Sequence, residues 1–66
     1  MTLSPLDSLI KLSEVMRQVG IGKTKIYKLI QDDLFPTPVK LGSVSRWSQL
    51  EIQDWIEQQK AARDRG

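Results

Sequence analysis

Neither cysteine nor histidine occurs in this 66-residue chain. Their absence removes disulfides, thiolate nucleophiles, imidazole bases and nearly all zinc sites. The chemistry that remains belongs to carboxylates, lysines, serines and a single tyrosine, none of them clustered as a catalytic centre would be. Aromatic residues are scarce, with two Trp, one Tyr and one Phe. Long apolar runs are missing too, and none approaches the ~18 residues of a membrane span. The opening MTLSPLDSLI has no basic stretch followed by an apolar segment, so it does not read as a signal peptide. A cytoplasmic protein is expected, with no membrane association. A chain this short makes one domain at most and buries only about 60% of the surface its unfolded form exposes. That leaves no room for a mononucleotide-binding sheet with a catalytic apparatus. The expectation is therefore no enzyme activity, no cofactor and no metal.

The formal net charge is +2, but it is unevenly spread. Residues 1–22 are neutral, with Lys11 and Arg17 against Asp7 and Glu14. Residues 23–47 carry Lys23, Lys25, Lys28, Lys40 and Arg46 against Asp32 and Asp33, a net +3. Residues 48–66 are net −1. A basic middle is what a nucleic-acid surface shows, although charge asymmetry alone is equally an ordinary solvated face.

Three stretches repeat apolar residues at helical spacing. Leu12, Val15, Met16 and Val19 fall at i, i+3, i+4 and i+7. They predict a helix over 13–19, with Ser13 as N-cap, Glu14 in the first turn and Gly20 as the stop. Ile26, Leu29 and Ile30 predict a second helix from Lys23 to about Gln31, with Gly22 at its N-cap. Two helices separated by GIG have the layout of a helix-turn-helix, with Ile21 pinning the corner. Pro36 and Pro38 end helical structure. Val39 and Leu41 then alternate with Lys40, and a hairpin tip is expected near Gly42 to Ser45. SQLE at 48–51 is a capping box that opens a third helix, striped by Ile52, Trp55 and Ile56. Trp47, Trp55 and Phe35 are expected in the core.

The triplet GKT at 22–24 matches the end of a nucleotide-binding phosphate loop. That motif needs another glycine at position 17 and a preceding buried strand. Position 17 is arginine, and the preceding pattern is helical. The triplet instead opens the second helix, where a helix N-terminus suits phosphate. Lys23, Thr24, Lys25, Tyr27 and Lys28 lie off the Ile26/Leu29/Ile30 face. Lysine can donate to guanine, and threonine can bond base edges or touch the thymine methyl.

The run LSEVMRQVGIGKTKIYKLIQDDLFPTPVKLG, with Trp47 and the later Trp55-Ile56, resembles the AlpA-like group of small phage and prophage DNA-binding regulators. It is also similar to the related excisionases with MerR-type winged helix-turn-helix domains. The resemblance covers roughly residues 10–58. It implies a mostly α-helical fold of three helices plus a two-stranded β-hairpin wing, with the second helix in the major groove. By the same resemblance, Lys40, Ser43, Ser45 and Arg46 are wing contacts. The implied function is sequence-specific binding of double-stranded DNA, as an excisionase (recombination directionality factor), a transcriptional regulator, or both. An integrase and neighbouring copies on DNA are candidate partners of a chain that is monomeric in free solution. Two departures stand out: Gly22 replaces the Ser or Thr cap of many relatives, and the tip GSVS lacks their arginine after the glycine. The expected division is an N-terminal tail (1–9), the winged domain (10–58) and a fraying C-terminal segment (59–66). The alternative function is a protein-interaction module that inhibits another regulator through the same fold.

Overall fold

A computed structural model describes residues 6–65 of the chain. Residues 1–5 of the expected N-terminal tail and Gly66 of the expected C-terminal segment lie outside the described residues. The elements are β1 (Leu9–Ile10), α1 (Leu12–Val19), α2 (Lys23–Gln31), β2 (Val39–Leu41), β3 (Val44–Ser48) and α3 (Gln49–Arg65). Three helices with a small antiparallel sheet make a mostly α-helical winged helix-turn-helix, as expected. The sheet has three strands rather than two, in the order β1-β3-β2. Leu9 pairs with Ser48 and Ile10 with Trp47, while Val39, Lys40 and Leu41 pair with Arg46, Ser45 and Val44. A two-residue strand has no period to read, so β1 is set by its partner β3 rather than by its own sequence. The hairpin closes through Gly42 and Ser43, and Gly42 has φ 64°, which a side chain rarely adopts. The third helix runs on to Arg65.

The core is one buried apolar residue from nearly every segment. Val15 comes from α1, Ile26 from α2, Phe35 from the following loop, Trp47 from β3 and Ile52 from α3. Ile21 and the apolar positions of α1 and α2 pack around them. The Trp47 indole donates its N–H to the Pro36 carbonyl at 3.1 Å, which spares its one polar atom the cost of burial. Trp55 departs from expectation: it is only half-buried. Its ring meets Phe35 edge to face at 4.8 Å, and its N–H reaches the Leu34 carbonyl at 2.8 Å. Trp55 is therefore a lid on the core rather than part of it.

The helix ends differ in how they are closed. The first N-cap is Lys11 rather than Ser13, and no side chain caps it. Gly20 stops α1 in the left-handed conformation (φ 72°), its N–H on the Met16 carbonyl at 2.9 Å. At the end of α2, Asp33 takes φ 60°. Its N–H reaches the Ile30 carbonyl, and the Leu34 N–H reaches that of Leu29, the two bonds of a Schellman closure with aspartate where glycine is usual.

The start of α3 is closed most fully. The Glu51 N–H donates to Ser48 Oγ at 3.2 Å, as the capping box predicts. The Leu50 N–H donates to Asp7 Oδ1 at 3.0 Å, and the Gln49 N–H to the Ser8 carbonyl at 2.8 Å. The Ser48 hydroxyl in turn donates to Asp7 Oδ2. Three N-terminal amides of α3 are thus satisfied, two by the segment that precedes α1. A second tie joins α1 to α3: the amides of Gln18 and Gln49 donate to each other at 2.7 and 2.8 Å. Glu14 holds Gln18 in place, accepting from it at 2.9 Å and from Arg17 Nε at 3.0 Å.

Trp47→Ala should cost about 3–5 kcal/mol as a buried large-to-small change, enough to unfold a domain this thin. Trp47→Phe should retain a cooperative melt at lower temperature. Thermal denaturation followed by circular dichroism measures both.

Two glycines should respond oppositely. Gly22 sits at φ −82° and ψ 170°, and a Cβ there meets nothing within 4 Å. Gly22→Ser should add a cap and stabilise by a few tenths of a kcal/mol, roughly 0.2–0.5. Gly20→Ala forces alanine into the left-handed region and should cost about 1–2 kcal/mol. Urea midpoints at unchanged slope report each effect.

Acid should loosen the two ties at α1 and α3. The Ser48 hydroxyl and then the Leu50 N–H hold the Asp7 carboxyl below its ordinary 3.8. Arg17, then Gln18, draws Glu14 down from 4.5 to about 2. Carboxyls depressed by folding contribute stability above their unfolded pKa and lose it as pH falls through the folded one. The melting temperature should hold near neutrality and fall as pH drops from about 4.5 toward 2. Asp7→Asn and Glu14→Gln should each melt lower at pH 7 and show a shallower acid decline.

Candidate nucleic-acid interface

Helix α2 begins at Lys23, directly after a helix and the turn 20–22. A helix and a turn, not a strand, lead directly into GKT, so the setting of a nucleotide-binding phosphate loop is absent. Lys23, Thr24 and Lys25 form an exposed first turn with no side chain capping it. The positive end of the helix dipole therefore faces solvent among two ammonium groups.

The inward face of α2 is Ile26, buried, with Leu29 and Ile30 half-buried. Helical geometry puts Thr24, Lys28 and Gln31 on the opposite line, at i, i+4 and i+7, with Lys25 and Tyr27 on its flanks. Gln31 is exposed and extends that line by one turn. Sequence reasoning missed it because it follows the charges, whereas the i+7 spacing from Thr24 would have found it. Lys28 Nζ lies 3.6 Å from Asp32 Oδ1, both exposed, a pairing worth little in water. Tyr27 is partly exposed, and its ring meets Trp47 edge to face at 6.3 Å. The tyrosine thus packs at the rim of the core and gives α2 a ring contact with β3.

The wing residues divide between two faces. Directly paired residues of an antiparallel sheet point the same way, and the direction alternates along each strand. Trp47 is on the face turned to α2, so Ser45 and its partner Lys40 share that face nearer the tip. Lys40 Nζ donates to Ser45 Oγ at 2.7 Å. Ser43 is exposed in the hairpin loop. Arg46 points from the other face, its Nη1 folded onto the Ser45 carbonyl at 2.9 Å. Lys40 and Ser45 thus share Trp47's face of the sheet, the face that Tyr27 touches, and Arg46 lies on the other. Among the described residues, no group of three or more acidic side chains is placed to hold a metal ion. No helix among them is long and apolar enough to cross a membrane.

Comparison with known proteins finds two matches. Residues 8–60 match the family described as Prophage CP4-57 regulatory protein (AlpA). An uncharacterised protein of Enterobacteria phage P4, ORF88, is 33% identical over 61 residues, covering 91% of this chain and 69% of the phage protein. No solved structure matches.

Proposed function

Because this chain belongs to the AlpA family of prophage regulatory proteins, we propose that it binds double-stranded DNA in a sequence-specific manner. It would do so in the cytoplasm, on the nucleoid, without cofactor. The observation that carries this reading is the exposed first turn of α2, with Lys23, Thr24 and Lys25 and no side-chain cap. The Tyr27–Trp47 contact joins α2 to the sheet face that also carries the paired Lys40 and Ser45. In this reading α2 enters the major groove N-terminus first. Thr24, Lys28 and Gln31 reach base edges, Lys23 and Lys25 hold phosphates at the helix start, and the Tyr27 hydroxyl sits beside the backbone. Lys40, with Ser43 and Ser45, rests the wing on the adjacent backbone. Arg46, on the other face, contributes less. The molecule measures 37 × 37 × 20 Å, so one copy covers about one turn of duplex, roughly 34 Å.

The regulatory use follows from the same surface. Bound at an attachment site the protein would act as a recombination directionality factor beside an integrase, and at a promoter as a transcriptional regulator. Footprinting across the attachment site and promoters of the host element distinguishes the two uses.

Four cations, Lys23, Lys25, Lys28 and Lys40, face the duplex in this reading, so log K should fall against log[salt] with a slope of about −3 to −4. A flat response would remove this surface as the binding site. Lys28→Ala should cost about 1–3 kcal/mol on the natural site and less on random DNA. Lys40→Ala should weaken both alike and reduce the salt slope by about 1. Equal losses on both DNAs for Thr24, Lys28 and Gln31 variants would refute base reading by α2.

A further inference from the structure

Two surfaces away from the proposed DNA side are built alike and charged oppositely. The first is the outer face of the sheet. Strand alternation puts Leu9, Val39, Leu41 and Val44 there with Arg46. These four apolar side chains are 46, 41, 50 and 39% exposed, although strand residues of this kind normally pack against something. The second is an open groove of about 540 Å³ between the loop after α2 and the first half of α3. Its floor is apolar, with Leu34, Phe35, Pro36 and Trp55, and Leu34 is 61% exposed. Its rim carries Asp33, Glu51 and Asp54, and no lysine or arginine lines it. Asp33 holds its carboxylate there in a left-handed conformation that glycine would occupy more easily.

We infer that the acidic groove of one copy receives the outer wing face of a second copy. Apolar side chains meet an apolar floor, and Arg46 comes against the carboxylate rim. The two surfaces share no residue, so each copy can give its wing and accept its neighbour's at once. Such a contact is heterologous, and where the rotation does not close it builds an open row. Five residues on the wing face and ten lining the groove fall short of the roughly 20–30 a side of a standard stable interface. The contact therefore forms where adjacent DNA sites raise the local concentration to the millimolar range. It rests on the DNA-binding reading only for that concentration.

Cysteine cross-linking tests the contact cleanly, because the natural chain has no cysteine. Leu41→Cys and Gln58→Cys are made separately, one on the wing face and one in the groove. They are mixed under mild oxidation on a duplex with two adjacent sites, and again without DNA at millimolar protein. The expected result is a mixed 41–58 disulfide, on DNA at low concentration and weakly without it. Only 41–41 or 58–58 products, or none in either setting, would overturn the inference. In parallel, two-site duplexes should bind with about tenfold cooperativity, within the 5–150-fold usual for coupled sites. Leu41→Ser and Asp54→Arg should each abolish that cooperativity while single-site affinity stays unchanged. Retained cooperativity in both would equally overturn it. Single-site affinity is the separate readout of DNA binding: its absence sinks the proposed function, while the DNA-free cross-link still decides the contact.

Discussion

The burial of Trp47 is the constraint on which the other packing choices depend. Trp47 has neighbours from three separate parts of the chain. It stands opposite Ile10 of β1, donates to the Pro36 carbonyl and meets the Tyr27 ring of α2. A thin core has few large groups with which to exclude water, so placing one indole fixes the strand that carries it, the proline loop beside it and the tyrosine against it. The orientation of the wing relative to α2 is a consequence. Strand alternation from Trp47 decides that Lys40 and Ser45 lie on the helix side and that Arg46 does not.

Polar contacts outside the core hold the helices at their ends. The N-terminal segment reaches across to α3 through Asp7 and Ser8, and the Gln18–Gln49 amide pair ties α1 to the same helix start. Each of these bonds is worth little by itself in water. Their value lies in satisfying amides at a helix start that would otherwise lack partners and in closing the loop between the first and last thirds of the chain. The same contacts explain why the short strand β1 exists: Asp7 and Ser8 bring Leu9 and Ile10 alongside β3.

Two locally unfavourable choices lie at the ends of α2. Gly22 leaves α2 without a side-chain cap although space for one is present, and Asp33 occupies a left-handed position where glycine is easier. Sequences that specify one structure are locally consistent, and departures concentrate where something other than stability decides the residue. Here the two departures flank the proposed recognition helix, one at its start beside the proposed phosphate contacts and one at its end on the acidic groove.

The helices of this protein were legible in its sequence because each writes its own period. The apolar spacings of α1, α2 and the start of α3, the stop at Gly20, the cap at Ser48 and the hairpin around Gly42 are local properties, and the structure reproduces them within a residue or two. The exposed lysines of α2 were legible for the same reason, since a residue off the apolar face of a helix has only solvent to face. The family resemblance was carried by those local features in combination. What tertiary structure alone decided depends on pairs far apart in the chain. The third strand, the Asp7 closure of α3, the half-exposed position of Trp55 and the division of wing residues between two faces all follow from which segments meet. A two-residue strand has no period, and an aspartate in an irregular segment gives no sign of the helix it will cap. Strand register also fixes which side of a sheet each residue takes. That register is set by where Trp47 is buried, a choice the whole core makes together.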